Sequence, residues 1–270
     1  MTLSTPTSLD AVSLPALLSR LAHGPLLVGL DFDGTLAPIV DRPDGARLDA
    51  PMHGHLSDLA GLALTAVVSG RDLDDLRLRV PASGLILVGS HGVEIAYPGD
   101  GVERAPGLAE SDAALGPLIH QLRQATAGLS GVLVEPKRHS VAVHWRLAGP
   151  LEAVSAERLV DSLAGAFPAF VVGRGKMVAE FRPAIDRDKG SAIGLLRGHA
   201  MVDGVPPAVL YLGDDVTDED AFRALDPARD VGILVATPPR PSAAGWCLPD
   251  TDAVAGFLER LIEARRAAAP

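Results

Sequence analysis

Leu26-Leu27-Val28-Gly29-Leu30-Asp31-Phe32-Asp33-Gly34-Thr35 decides how this sequence is read: a short apolar run without alternation, then two aspartates two apart, glycine and threonine. An apolar run that does not alternate predicts a strand buried on both faces, as in a parallel sheet. Residues 64–68, 85–88 and 209–212 read the same way. Helix-compatible stretches separate several of them, over residues 52–62, 73–79 and 191–199, and a further short helix is expected over 9–22. Strand and helix in repetition predict an open α/β sheet.

The middle of the chain changes texture. Residues 132–135 and 140–146 are strand-like and joined across Pro136-Lys137-Arg138-His139. Residues 170–172 and 177–182 predict a second hairpin, turning through Gly173-Arg174-Gly175, and helix-like stretches fall at 115–126 and 152–163. Hairpins dominate here and parallel-type runs do not, which predicts an α+β domain over 104–186 inserted into an α/β domain made of 1–103 and 187–270. Residues 1–8 are polar and expected to be disordered, and the C-terminal tail is rich in alanine.

Composition narrows the classes. The 270 residues carry 47% hydrophobic and 21% charged side chains, as a globular domain with a substantial insertion would. A net charge of -10 argues against a nucleic-acid partner. No apolar run reaches membrane-spanning length, and no basic residue precedes Arg20 as a secretory signal would require. The single cysteine, Cys247, rules out an internal disulfide framework, so a cytoplasmic location is expected. Of the 24 basic residues only Lys137, Lys176 and Lys189 are lysines, a scarcity that draws attention to sites where a compact point charge is needed.

Each of the four apolar runs leads into a polar cluster: Asp31 to Thr35, Ser69-Gly70-Arg71, Gly89-Ser90-His91-Gly92, and Gly213-Asp214-Asp215. Ligands of open α/β sheets bind outside the carboxyl ends of the strands, so the four clusters are expected to share one crevice. Asp31 can take a phosphoryl group as an acyl phosphate, and Asp33 can protonate the leaving oxygen and then activate water. Gly34 lets the backbone turn closely around a phosphate. A calcium loop fails by spacing: counting from Asp31 places Leu36 where glycine is required and Arg42 where glutamate is required. Five acids lie between Asp214 and Asp220, a concentration that calls for a cation and suits Mg2+. Asp214 is assigned to the metal, Asp215 and Asp218 to its support, and Glu219 and Asp220 to the first turn of a helix. Ser69 and Lys189 suit the non-bridging phosphoryl oxygens.

These residues resemble the motifs of haloacid dehalogenase-superfamily phosphatases. Together with Ala37-Pro38-Ile39, Glu135-Pro136-Lys137, Val143-His144-Trp145-Arg146, Glu180-Phe181-Arg182-Pro183 and the run from Tyr211 to Phe222, they resemble the trehalose-6-phosphate phosphatases. The resemblance implies a Rossmann-like core with an inserted α+β cap. It also implies Mg2+ held by Asp31, the backbone carbonyl of Asp33, and Asp214. Trehalose 6-phosphate is the implied substrate, and a trehalose-6-phosphate synthase the functional partner. Gly34, Arg71, His91, Glu135, Lys137, Lys176, Glu180 and Arg182 are the expected substrate contacts. Glu135 and Lys137 are two apart, as are Glu180 and Arg182, so each pair can project from one strand face. Three alternatives stand beside this reading: a phosphatase for sucrose, glucosylglycerol or mannosylglycerate phosphate, a phosphosugar mutase, and a non-catalytic sugar-phosphate-binding module. Trp145 and Gly245-Trp246-Cys247 depart from the tyrosines usual in the family.

Overall fold

Apolar strands and aspartate- or proline-led helices alternate along the chain in the computed structural model, which describes residues 3–40, 45–80, 83–99, 101–175, 177–201 and 204–269. The chain forms two units, Met1–Glu103 with Arg187–Pro270, and Arg104–Asp186. The first begins with β1 (Thr7–Ser8), α1 (Leu14–Ala22), β2 (Leu26–Leu30), α2 (Ala50–Ala60), β3 (Leu64–Val68), α3 (Leu73–Arg79), β4 (Ile86–Gly89), β5 (Glu94–Ala96) and β6 (Val102–Arg104). The second holds α4 (Leu108–Thr126), β7 (Leu133–Pro136), β8 (Val141–His144), α5 (Pro150–Ala166), β9 (Phe170–Gly175) and β10 (Val178–Pro183). The chain returns with α6 (Lys189–His199), β11 (Ala208–Gly213), α7 (Asp218–Arg223), β12 (Val231–Val235), β13 (Trp246–Leu248) and α8 (Thr251–Ala268).

The sheet of the first unit has the order β1-β13-β12-β11-β2-β3-β4-β5-β6, with β1 to β4 along this series parallel to their neighbours and β5 antiparallel to β4. Strand residues are buried on both faces: Val28, Leu30, Val67, Leu210 and Leu212 join the core beneath α1, α2 and α8, while Leu27, Ala66, Val68, Val209 and Tyr211 join the core beneath α6 and α7. This two-sided burial is why these runs do not alternate. The strand order reverses between β2 and β11, the switch point at which open sheets leave a crevice. A Cβ on Gly29 would lie 2.7 Å from the Tyr211 ring, so glycine on β2 leaves room for that tyrosine.

Four differences from the sequence reading have local causes. Of residues 1–8, the first two lie outside the described residues and the stretch 4–8 is ordered rather than disordered, because Thr7 and Ser8 pair with Trp246 and Cys247, and Ser4 with Ser242. α1 starts at Leu14, not Leu9, since the Asp10 carboxylate accepts from the Val12 and Ser13 N–H groups and holds a turn before it. α4 runs through Pro117 from Leu108; burial of Leu108, Leu115, Leu118 and Leu122 outweighs the missing N–H. The alanine-rich tail is the last turns of α8, whose start is capped by Asp250.

In the second unit the sheet order is β7-β8-β10-β9, all antiparallel. Val141, Val143, Ala179 and Phe181 face the core with residues of α4 and α5, and Trp145 is buried among them. By alternation Glu135, Ala142, His144, Glu180 and Arg182 take the other face, and register sets Ala142 between Glu135 and Glu180. Gly173 and Gly175 pair with Glu180 and Val178 instead of forming the turn, and Met177 takes the left-handed conformation there, with φ +64°.

Candidate active site

β2 ends where the chain must turn sharply. The Asp31 N–H donates to the Leu212 carbonyl (2.9 Å), which ties the end of β2 to β11. The turn closes through Gly34 N–H to the Ala37 carbonyl (2.7 Å) and Ala37 N–H to the Phe32 carbonyl (2.9 Å). Gly34 has φ +82°, and a Cβ there would stand 2.2 Å from Asp214 Oδ2. Only glycine lets the β2 loop and the β11 loop approach this closely.

Asp31, Lys189 and Asp218 form a buried ionic group at this junction. Lys189 Nζ lies 2.7 Å from Asp31 Oδ1 and 2.7 Å from Asp218 Oδ1, and none of the three residues is more than 4% exposed. Asp218 is also bonded by the Tyr211 hydroxyl (2.7 Å) and the Asp215 N–H (2.9 Å). Burial, then the charge of Asp218, raises the Asp31 carboxyl well above the ordinary aspartate range, although Lys189 opposes this. Burial pushes Asp214 up to about 6, with Asp218 and Asp215 adding to the rise and a hydrogen bond with Asp31 opposing it. Burial alone would depress the Lys189 ammonium, but Asp31 and Asp218 outweigh it and raise it.

Carboxylate oxygens of Asp31, Asp214 and Asp218 lie within 4.8 Å of one another. With all three ionised and Lys189 charged, the group carries two uncompensated negative charges, which a divalent cation would balance. Both Asp218 oxygens already have protein donors, whereas buried Asp214 Oδ1 has no hydrogen-bond partner among the described residues. The acid group therefore fits a cation, with Asp214 Oδ1 the oxygen left open to it. Asp215 is exposed and contributes its N–H to Asp218.

The β3 and β4 loops lie side by side. The His91 N–H donates to the Ser69 carbonyl (3.0 Å) and the Ser90 N–H to the Arg71 carbonyl (2.8 Å), with Ser90 and His91 both in the left-handed region. Ser69 is buried, and its Oγ accepts the Arg71 N–H at 3.1 Å. The Arg71 guanidinium grips Asp33 with two bonds of 2.6 Å each and reaches Asp75 at 2.8 Å. Arg79 holds Asp75 in turn, at 2.7 and 2.8 Å. Sequence reading assigned Arg71 to substrate and missed the Asp33–Arg71–Asp75–Arg79 chain, as well as the Tyr211 hydroxyl on Asp218. The i,i+4 spacing of Arg71, Asp75 and Arg79 was the available signal.

The second unit gathers its own polar group. Lys137 Nζ (2.8 Å) and Ser140 Oγ (2.7 Å) both donate to Glu180 Oε1, and His144 Nε2 lies 2.7 Å from Glu135 Oε2. Glu135 is held below the usual carboxylate range, chiefly by its hydrogen bond to His144. Arg182 is half-buried on the same strand face as Glu180. Lys176 lies outside the described residues.

An aspartate-centred, cation-ready crevice at the switch point of a parallel sheet defines the class of haloacid dehalogenase-like hydrolases. A hydrolase of that description from Bacteroides thetaiotaomicron superposes with a TM-score of 0.62 at 15% identity, covering 88% of this chain and 99% of that one. A structure of the C-terminal domain of trehalose-6-phosphate phosphatase from C. albicans superposes with a TM-score of 0.81 at 22% identity, covering 97% and 99%. Within the class the chain belongs to the trehalose-phosphatase family, whose model matches residues 29–252. It is 34% identical over 255 residues to trehalose-phosphate phosphatase B of Arabidopsis thaliana, covering 89% of this chain and 67% of that protein. The chain thus spans about two thirds of that relative's length. No described helix is long and apolar enough to cross a membrane.

Proposed function

We infer that this chain hydrolyses trehalose 6-phosphate to trehalose and phosphate through an aspartyl-phosphate on Asp31. The observation that carries the reading is the buried Asp31 carboxylate, 2.7 Å from Lys189 at the switch point, in a chain of the trehalose-phosphatase family. Asp31 attacks phosphorus while Asp33 gives its proton to the departing sugar oxygen. Asp33 then takes a proton from water, which attacks the phosphorus of the acyl phosphate and restores Asp31. Lys189 and Ser69 Oγ meet the charge on the non-bridging oxygens. Asp31, Asp214 and the Asp33 carbonyl would hold Mg2+, which supplies charge neutralisation for the phosphoryl group when bound. Arg71 grips both Asp33 oxygens, so in this reading one of those bonds gives way before Asp33 carries a proton.

In this reading Gly34 and His91 meet the phosphate, and Glu135, Lys137, Glu180 and Arg182 meet the sugar. Trehalose offers hydroxyls that donate and accept, so a face bearing carboxylates and cations together suits it. The reading sets the reaction in the cytosol, downstream of a trehalose-6-phosphate synthase. A phosphate-release screen across sugar phosphates tests the substrate. Trehalose 6-phosphate is expected to lead by at least about 10-fold in kcat/KM, about 1.4 kcal/mol of discrimination, and a smaller lead refutes the assignment. Asp31→Asn is expected to abolish turnover and the trapping of labelled phosphate, and residual trapping would sink the nucleophile.

A further inference from the structure

Five acids crowd the segment Asp214 to Asp220, and two of them, Asp218 and Glu219, are buried. Buried like charges at this spacing disfavour the fold unless cations answer them. Lys189 answers Asp218. The cation that answers Glu219 comes from another strand end: Arg240, on the segment between β12 and β13. Its Nη1 lies 2.5 Å from Glu219 Oε1, and its Nη2 donates to the carbonyls of Asp215 (2.7 Å) and Asp214 (3.3 Å). Nη1 also reaches the Pro241 carbonyl at 3.3 Å. Glu219 Oε2 accepts the Ala243 N–H at 2.8 Å, so the acid also anchors the segment that carries Arg240.

The planar fork of arginine serves a carboxylate and two carbonyls from two nitrogens held in a fixed plane, a spread that the compact ammonium of lysine does not reproduce. The carbonyls matter because Asp214 Oδ1 is buried and has no partner of its own among the described residues. Beyond its hydrogen bond with Asp31, that carboxylate takes its direction from the backbone that carries it. We propose that Arg240 is a positioning residue for the cation site, fixing the Asp214–Asp215 backbone from which Asp214 presents its carboxylate. The inference rests on the reading of Asp214 as a metal ligand.

The test is Mg2+ titration by calorimetry of the full-length, chelator-stripped protein, as parent, Arg240→Ala and Arg240→Lys. Lost support around a metal ligand costs about 10–100-fold in affinity, and Arg240→Ala is expected to weaken Mg2+ binding by at least about 10-fold. The Mg2+ concentration giving half-maximal turnover should rise in parallel, while KM for p-nitrophenyl phosphate at saturating Mg2+ stays near the parent value. Arg240→Lys keeps a charge beside Glu219 but loses the fork, and is expected to fall between the two. It also carries the test if the alanine variant does not fold. A merely structural role predicts a lower melting temperature of the metal-free protein with unchanged Mg2+ affinity, and that result overturns the proposal. A parent that binds no Mg2+ sinks the metal reading itself, and this inference with it.

Discussion

At the scale of single residues, Asp214 is the position whose surroundings matter most for pH. Burial raises its carboxyl from 3.8 to about 6, and Asp31 beside it is raised as well. The folded chain then holds a proton that the unfolded chain has released, so this group stabilises the metal-free fold most at low pH. That contribution falls as pH climbs from about 4 to about 6 and is gone above it, a loss on the order of 3 kcal/mol. Urea melts in EDTA at pH 5 and pH 7.5 should therefore show a stability drop that Asp214→Asn reduces, Asp31 keeping its own share, and that Mg2+ reduces by binding the ionised form. An Asp214→Asn protein with the parent's pH dependence would refute the assignment. Asp31, Asp33, Ser69 and Asp214 stand out in the sequence because they come directly after buried apolar runs, and Lys189 because lysine is scarce. Arg71 gripping Asp33, and Arg240 gripping Glu219, were not: a long flexible cation chooses its partner only once the loops are folded.

At the scale of elements, α6 links sequence signal to chemistry most directly. Asp188 caps it by accepting the Ser191 N–H at 2.7 Å, and Ser191 Oγ accepts the Asp188 N–H at 2.8 Å, a reciprocal pair. Lys189 is the first residue of that helix, so the cap also fixes where its side chain starts. Asp188→Ala is expected to cost about 1 kcal/mol of stability in urea melts and to lower kcat through Lys189. Full activity in a destabilised variant would separate the cap from the lysine. Buried strands were readable as unbroken apolar runs, β2 and β3 to the residue. β1 was not, because two polar residues become a strand only through their pairing with β13. β12 is as apolar as the four strands that were read, and noticing it would have drawn the reading toward Arg240.

Across the whole molecule, every group proposed for phosphoryl transfer stands in the unit built from residues 1–103 and 187–270, while Glu135, Lys137, Glu180 and Arg182, proposed to meet the sugar, stand in the inserted one. Chemistry and selectivity should then separate under mutation. Glu180 is the sharpest probe, since it accepts from both Lys137 and Ser140 on the sheet face turned away from α4 and α5. Its pair with Lys137 is partly exposed, at 27% for Lys137 and 19% for Glu180, so losing it should cost no more than about 1 kcal/mol of stability. In binding, the same carboxylate would hold sugar hydroxyls that a small aryl phosphate lacks. Glu180→Ala is therefore expected to lower kcat/KM for trehalose 6-phosphate by about 100-fold, equivalent to about 2.7 kcal/mol, while hydrolysis of p-nitrophenyl phosphate changes little. Parallel kinetics on the two substrates decide the matter. An equal loss on both would mean that the charged face is a salt-bridged exterior, and that selectivity for the sugar is built elsewhere.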